Sequence, residues 1–61
     1  MKHNDPHYII EYVQHGKQVK VTAVDPVSMR EVSTIVPSNL PRDEMTRLAV
    51  QKLEYVLKKT P

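Results

Sequence analysis

Three histidines, seven carboxylates and a scatter of hydroxyls are the side chains here that could do chemistry. His3 and His7 stand four apart, the interval at which a helix aims two imidazoles at one metal ion. Pro6 lies between them, so no helix aligns the pair, and Asp5 is the only carboxylate nearby. His15 adjoins the single glycine, in a turn. The sequence has no cysteine, which excludes thiolate zinc sites and disulfides alike. The histidines therefore read as exposed side chains, and no metal or other cofactor is expected. Catalysis needs an acid, base or nucleophile positioned in a cleft. The carboxylates have structural explanations instead: Glu11 in a cross-strand pair, Asp25 in a turn, Asp43 and Glu44 at a helix start. Ser28, Ser33, Thr34 and Ser38 have no histidine placed near them. A single glycine cannot build a phosphate-cradling loop. The chain reads as non-enzymatic.

These residues must be held by a very small scaffold. Sixty-one residues allow one domain, residues 7–61 after an expected disordered N-terminus over residues 1–6. The pattern predicts an α+β fold: a three-stranded antiparallel β-meander followed by one long C-terminal α-helix packed on one sheet face. The run from His7 to Gln14 is rich in β-branched and aromatic types, and Val19, Val21 and Ala23 alternate through the run from Lys17 to Val24. His15-Gly16 between them reads as a tight hairpin loop. In that register Tyr12 faces Val19, Ile10 faces Val21 and Tyr8 faces Ala23, while Glu11 faces Lys20 as an ion pair on the other side. Asp25-Pro26 opens the next turn, with the Asp carboxylate accepting a backbone N–H and Pro presetting φ. A loop from Pro26 to Met29 then sets Ala23, Val21 and Val19 opposite Val32, Thr34 and Val36 of a third strand, Arg30 to Val36. It also asks Met29 for a left-handed conformation, unusual for that residue.

Pro37 and Pro41 break the strand pattern. A helix is expected from about Leu40 to Lys59, with Asn39 as cap and Pro41 in the first turn. Its length, about 28 Å at ~1.5 Å per residue, exceeds the width of three strands. Met45, Ala49, Leu53 and Val56 form the centre of its apolar stripe, flanked by Val50 and Leu57. Leu48 and Tyr55 fall on the other flank, with Lys52 and Lys59 between them and the stripe. The apolar arc covers roughly 220°, against the ~100° that one sheet contact needs. Either Leu48 and Tyr55 pack at the sheet edge with Lys52 snorkelling between them, or Leu48, Lys52 and Tyr55 meet a second helix across a dimer axis.

The outer sheet face carries Ile9, Val13, Val24 and Ile35 among polar neighbours, and both edge strands lack a cover. A domain this small without a staple leans on partners, and open edges invite pairing with another copy. Ile9, Val13 and Ile35 thus join Leu48, Lys52 and Tyr55 as candidate interface residues, and the expected state is a homodimer, with an unknown protein partner possible. The charge adds a second class of partner. Residues 1–40 hold four basic and four acidic side chains; residues 41–61 hold five basic and three acidic, which gives the net +2. Lys20, Arg47, Lys52, Lys58 and Lys59 could contact the phosphates of a nucleic acid without reading bases, although acids at a helix start and lysines at its end also complement the helix dipole. No stretch approaches the roughly 18–20 apolar residues of a membrane span, and the N-terminus lacks a secretory signal. The cytoplasm is the expected compartment.

Three segments carry a resemblance: the run from Leu48 to Leu57 (LAVQKLEYVL), Val19 to Asp25 (VKVTAVD), and Arg30-Glu31-Val32-Ser33. Together they resemble a family of short uncharacterised alphaproteobacterial proteins, over about Tyr8 to Lys59. The resemblance implies a bacterial cytoplasmic setting and a β-β-β-α domain, and it implies no functional residues.

Overall fold

The computed structural model describes residues 7–59. The expectation for residues 1–6, His3 included, lies outside the described residues. Three strands, β1 (Ile9–His15), β2 (Gln18–Asp25) and β3 (Arg30–Pro37), precede one helix, α1 (Arg42–Lys59). The sheet is antiparallel in the order β1-β2-β3, and α1 packs on one of its faces, chiefly over β2 and β3.

The β1–β2 register corrects the expectation. Tyr12 pairs with Val21 and Ile10 with Ala23, and His15 pairs with Gln18. The loop is therefore Gly16-Lys17, one residue later than expected. Gly16 has φ +61° at the first loop position, as the tight type II′ hairpin turn demands of that site. The resulting shift in pairing is two residues, so every side chain keeps its face, because sheet faces repeat with period two. Apolar alternation alone cannot distinguish two registers related in this way. The expected Glu11–Lys20 pair does not form: Glu11 faces Thr22, and Lys20 faces Val13.

The β2–β3 register is the expected one, with Val19, Val21 and Ala23 opposite Val36, Thr34 and Val32. Asp25 organises the turn. Its Oδ1 accepts the Val27 N–H at 3.1 Å, and its Oδ2 accepts the Ser28 hydroxyl at 2.9 Å. The Met29 N–H reaches the Asp25 carbonyl at 2.7 Å, and Met29 takes φ +64°.

The helix starts at Arg42 rather than Leu40. A residue before proline is sterically kept out of the helical region, which excludes Leu40, and Pro41 becomes the flanking residue. The Pro41 carbonyl accepts the Glu44 and Met45 N–H groups, both at 3.1 Å. Asn39 makes no hydrogen bond to the helix; the Asp43 carboxylate instead accepts the Glu44 N–H at 3.0 Å. The buried core comprises Val19, Val21, Ala23 and Val36 from the sheet with Met45, Ala49 and Leu53 from the helix. Leu48 and Leu57 pack against it from either side. Val56, expected near the centre of the stripe, is only half-buried, and Leu57 reaches the sheet beside Tyr8 instead. Full burial of a side chain such as Leu53 stabilises the fold by about 1.5–3 kcal/mol.

Candidate functional site

The hydrogen-bonding direction of each strand residue settles what the two sheet edges offer. The Ser38 N–H donates to the Lys17 carbonyl at 2.9 Å, extending the β2–β3 ladder by one step. Odd-numbered β2 residues therefore bond to β3, and even-numbered ones bond to β1. Thr22–Ser33 is then a close, non-hydrogen-bonded pair, which fits the 2.9 Å contact between their hydroxyls. It follows that Glu31, Ser33 and Ile35 turn their backbone groups outward along the β3 edge. On β1 the outward-facing residues are Ile10, Tyr12 and Gln14.

The edges differ in how they are closed. On β3 the Lys52 ammonium donates to the Ser33 carbonyl at 2.7 Å, and Pro37 at the strand end has no N–H to offer. The ladder of β1 runs without a bulge from Ile9 to His15, and the strand contains no proline and no lysine. Charges, prolines, bulges and covering side chains are the usual protections of an edge. Of these, among the described residues, β1 has only Glu11.

The helix flank does not assemble as one surface. Leu48 packs against the core, and Lys52 is engaged with Ser33. Tyr55 remains 61% exposed, with the Lys59 ammonium 5.3 Å from its ring centroid. The outer sheet face, by contrast, has no cover among the described residues. Val13, Lys20 and Ile35 lie in one cross-strand row there, and Ile9, Val24 and Glu31 in another. Ile9, Val13 and Ile35 are 53%, 46% and 56% exposed.

The basic residues do not converge. Lys20 is on the sheet face opposite the helix. Arg47 forms a two-point ion pair with Glu44. That hydrogen-bonded guanidinium holds the Glu44 carboxyl below its ordinary range. Lys58 and Lys59 close the last helical turn.

On the β1 side, sequence reasoning missed a cluster that fastens the strand to the helix start. The Thr46 hydroxyl donates to the Arg42 carbonyl at 3.0 Å, so in its hydrogen bond with Tyr12 the phenol is the donor. The Arg42 guanidinium stacks 4.1 Å from the Tyr12 ring centroid. The spacing of Arg42 and Thr46, one helical turn apart, was the available signal. Tyr8, immediately before β1, has its phenol pKa raised, first by burial and then by the Glu54 and Asp25 carboxylates. The exposure of Val27 and Met29 at the β2–β3 turn also went unread; apolar residues where a turn usually takes polar ones were the signal.

Among the described residues, no group of three His, Asp or Glu is placed to hold a metal ion, and no helix is long and apolar enough to cross a membrane.

The chain belongs to the family described as a Domain of unknown function (DUF6898), whose model matches residues 5–60. No curated protein and no solved structure matches it.

Proposed function

We propose that this family member is a non-enzymatic interaction domain that self-associates as a homodimer through the part of its sheet that the helix leaves bare, the outer face and the open β1 edge beside it. The observation that carries the reading is the two-layer build. One sheet face is covered by α1, and the other presents Ile9, Val13 and Ile35, each about half exposed. A domain of this size buries only about 60% of its unfolded surface and gains from covering such a face. The polar side chains best placed for chemistry have structural work: Asp25 in its turn, Glu44 with Arg47, Tyr12 with Thr46. The setting proposed with it is the bacterial cytoplasm, which a chain without cysteine fits.

Light scattering over a range of concentrations tests the reading. A mass of two chains that falls to one on dilution supports it, and a folded monomer at high concentration overturns it. Nucleic-acid binding is the alternative, with less behind it, since Lys20 lies on the sheet face away from the helix that carries Arg47, Lys52, Lys58 and Lys59, and Arg47 and Lys52 are engaged with Glu44 and Ser33. A salt-dependent mobility shift with mixed DNA and RNA would be its sign.

A further inference from the structure

Resting on the self-association reading, we infer that the occupant of the β1 edge is a second copy of β1, paired antiparallel about a two-fold axis at Val13 to give one continuous sheet across both copies.

The first argument is the asymmetry of the edges. The carbonyl of Ser33 on β3 is taken by Lys52 at 2.7 Å, and Pro37 ends that strand without an N–H. Among the described residues, the outward groups of Ile10, Tyr12 and Gln14 on β1 have no such cover. The second argument is charge. Along the outer side of β1, Glu11 stands on one side of Val13 and His15 on the other, followed by Lys17. An edge with a carboxylate acceptor at one end and an imidazole N–H donor at the other is complementary to itself when reversed. Antiparallel pairing centred on Val13 sets Glu11 of each copy opposite His15 of the other, and the two-fold repeats the pair. An axis at Glu11 would instead oppose two like charges, which is destabilising.

The third argument is the hydrogen-bonding direction. Val13 turns its backbone groups toward Lys20 of β2, so Val13 against Val13 is a non-hydrogen-bonded pair, the kind in which side chains approach most closely. Tyr12 and Gln14, whose backbone groups face outward, form the hydrogen-bonded pairs on either side. The half-exposed Val13 side chain is thereby covered by its own equivalent.

The absence of cysteine from the sequence makes a single Val13→Cys substitution a clean probe, because any disulfide it forms joins two chains. Non-hydrogen-bonded pairs hold Cβ atoms about 4.5–5.5 Å apart, close to the ~3.5–4.5 Å of a disulfide. Under mild oxidation Val13→Cys is expected to form covalent dimer at least tenfold faster than Ile35→Cys, which is at least as exposed. Equal rates, or a faster Ile35→Cys, overturn the proposal.

A charge exchange gives the second reading. His15→Glu alone should weaken the dimer at least tenfold, and Glu11→Lys combined with His15→Glu should restore it. Glu11 and His15 are too far apart within one strand to meet, so restoration can only act between chains. Far-UV circular dichroism confirms that each variant is folded. A wild-type dimer without preferential cross-linking or restoration removes this pairing and leaves self-association standing; a wild-type monomer removes both.

Discussion

The Lys52 ammonium and the Ser33 carbonyl meet at 2.7 Å, so a helix side chain holds the group that β3 would otherwise present to a neighbouring strand. One contact thus ties α1 to the sheet and occupies one acceptor of the β3 edge. By its helical position Lys52 suits both a dimer contact and a snorkelling side chain; the structure gives it an intramolecular partner.

Replacing Lys52 by Met keeps the apolar stem and removes the donor. The domain should lose about 0.5–1.5 kcal/mol, the usual net worth of a hydrogen bond, measured as a lower urea midpoint. With a second edge open, species larger than a dimer should appear in light scattering. An unchanged midpoint and mass would mean that the bond is not occupied in solution.

Leu53 is fully buried between helix and sheet. Leu53→Ala should cost about 2.7–5 kcal/mol. A domain of this length is stable by only roughly 3–9 kcal/mol, so a large share of the variant should be unfolded at 37 °C, read by far-UV circular dichroism. Retention of the wild-type melting temperature would show that the helix does not dock as described.

Two turn residues with positive φ should respond in opposite directions. Met29 sits at φ +64° with its side chain mostly in solvent, so Met29→Gly should relieve about 1 kcal/mol of strain and raise the melting temperature. Gly16 sits at φ +61° with open space where a Cβ would stand, so Gly16→Ala should cost about 1–2 kcal/mol through the backbone alone. Shifts in the same direction for both would contradict these turn geometries.

Tyr8 supplies a pH dependence. Burial and the nearby carboxylates of Glu54 and Asp25 raise its pKa above the ordinary value. The folded state then holds the phenolic proton more tightly than the unfolded state does. Its contribution is fully present below pH ~10 and is lost as the pH rises through the folded value. Tyr8→Phe should flatten the alkaline fall in stability measured by urea unfolding. In an absorbance titration, the wild-type Tyr8 phenol should ionise above its ordinary value of about 10.

How far the sequence could be read depended on which physical signal each feature left. Strand faces and the β2–β3 pairing were legible because alternation and the Asp25-Pro26 turn agreed, and even the left-handed Met29 followed from the loop length. The β1–β2 register was not, since the choice between His15-Gly16 and Gly16-Lys17 as the loop leaves every side chain on the same face. Glycine at the first loop position was the deciding clue. The helix start was misjudged because the restriction that Pro41 places on Leu40 outweighs helical periodicity. The wide apolar arc of the helix was real, but helical angles could not tell that Leu48 reaches the core while Tyr55 stays in solvent. The difference between the two sheet edges was out of reach, because it depends on where Lys52 lands relative to Ser33.

The most direct test of the account is amide hydrogen exchange, read residue by residue at a concentration where light scattering reports two chains. Tyr12 and Gln14 have N–H groups that face outward from β1 in a single copy, as those of Glu31 and Ile35 do from β3. Pairing along β1 predicts that Tyr12 and Gln14 are protected at high concentration and lose protection on dilution, while Glu31 and Ile35 exchange fast throughout. Fast exchange at Tyr12 and Gln14 in the intact dimer would contradict it and place the contact on another surface.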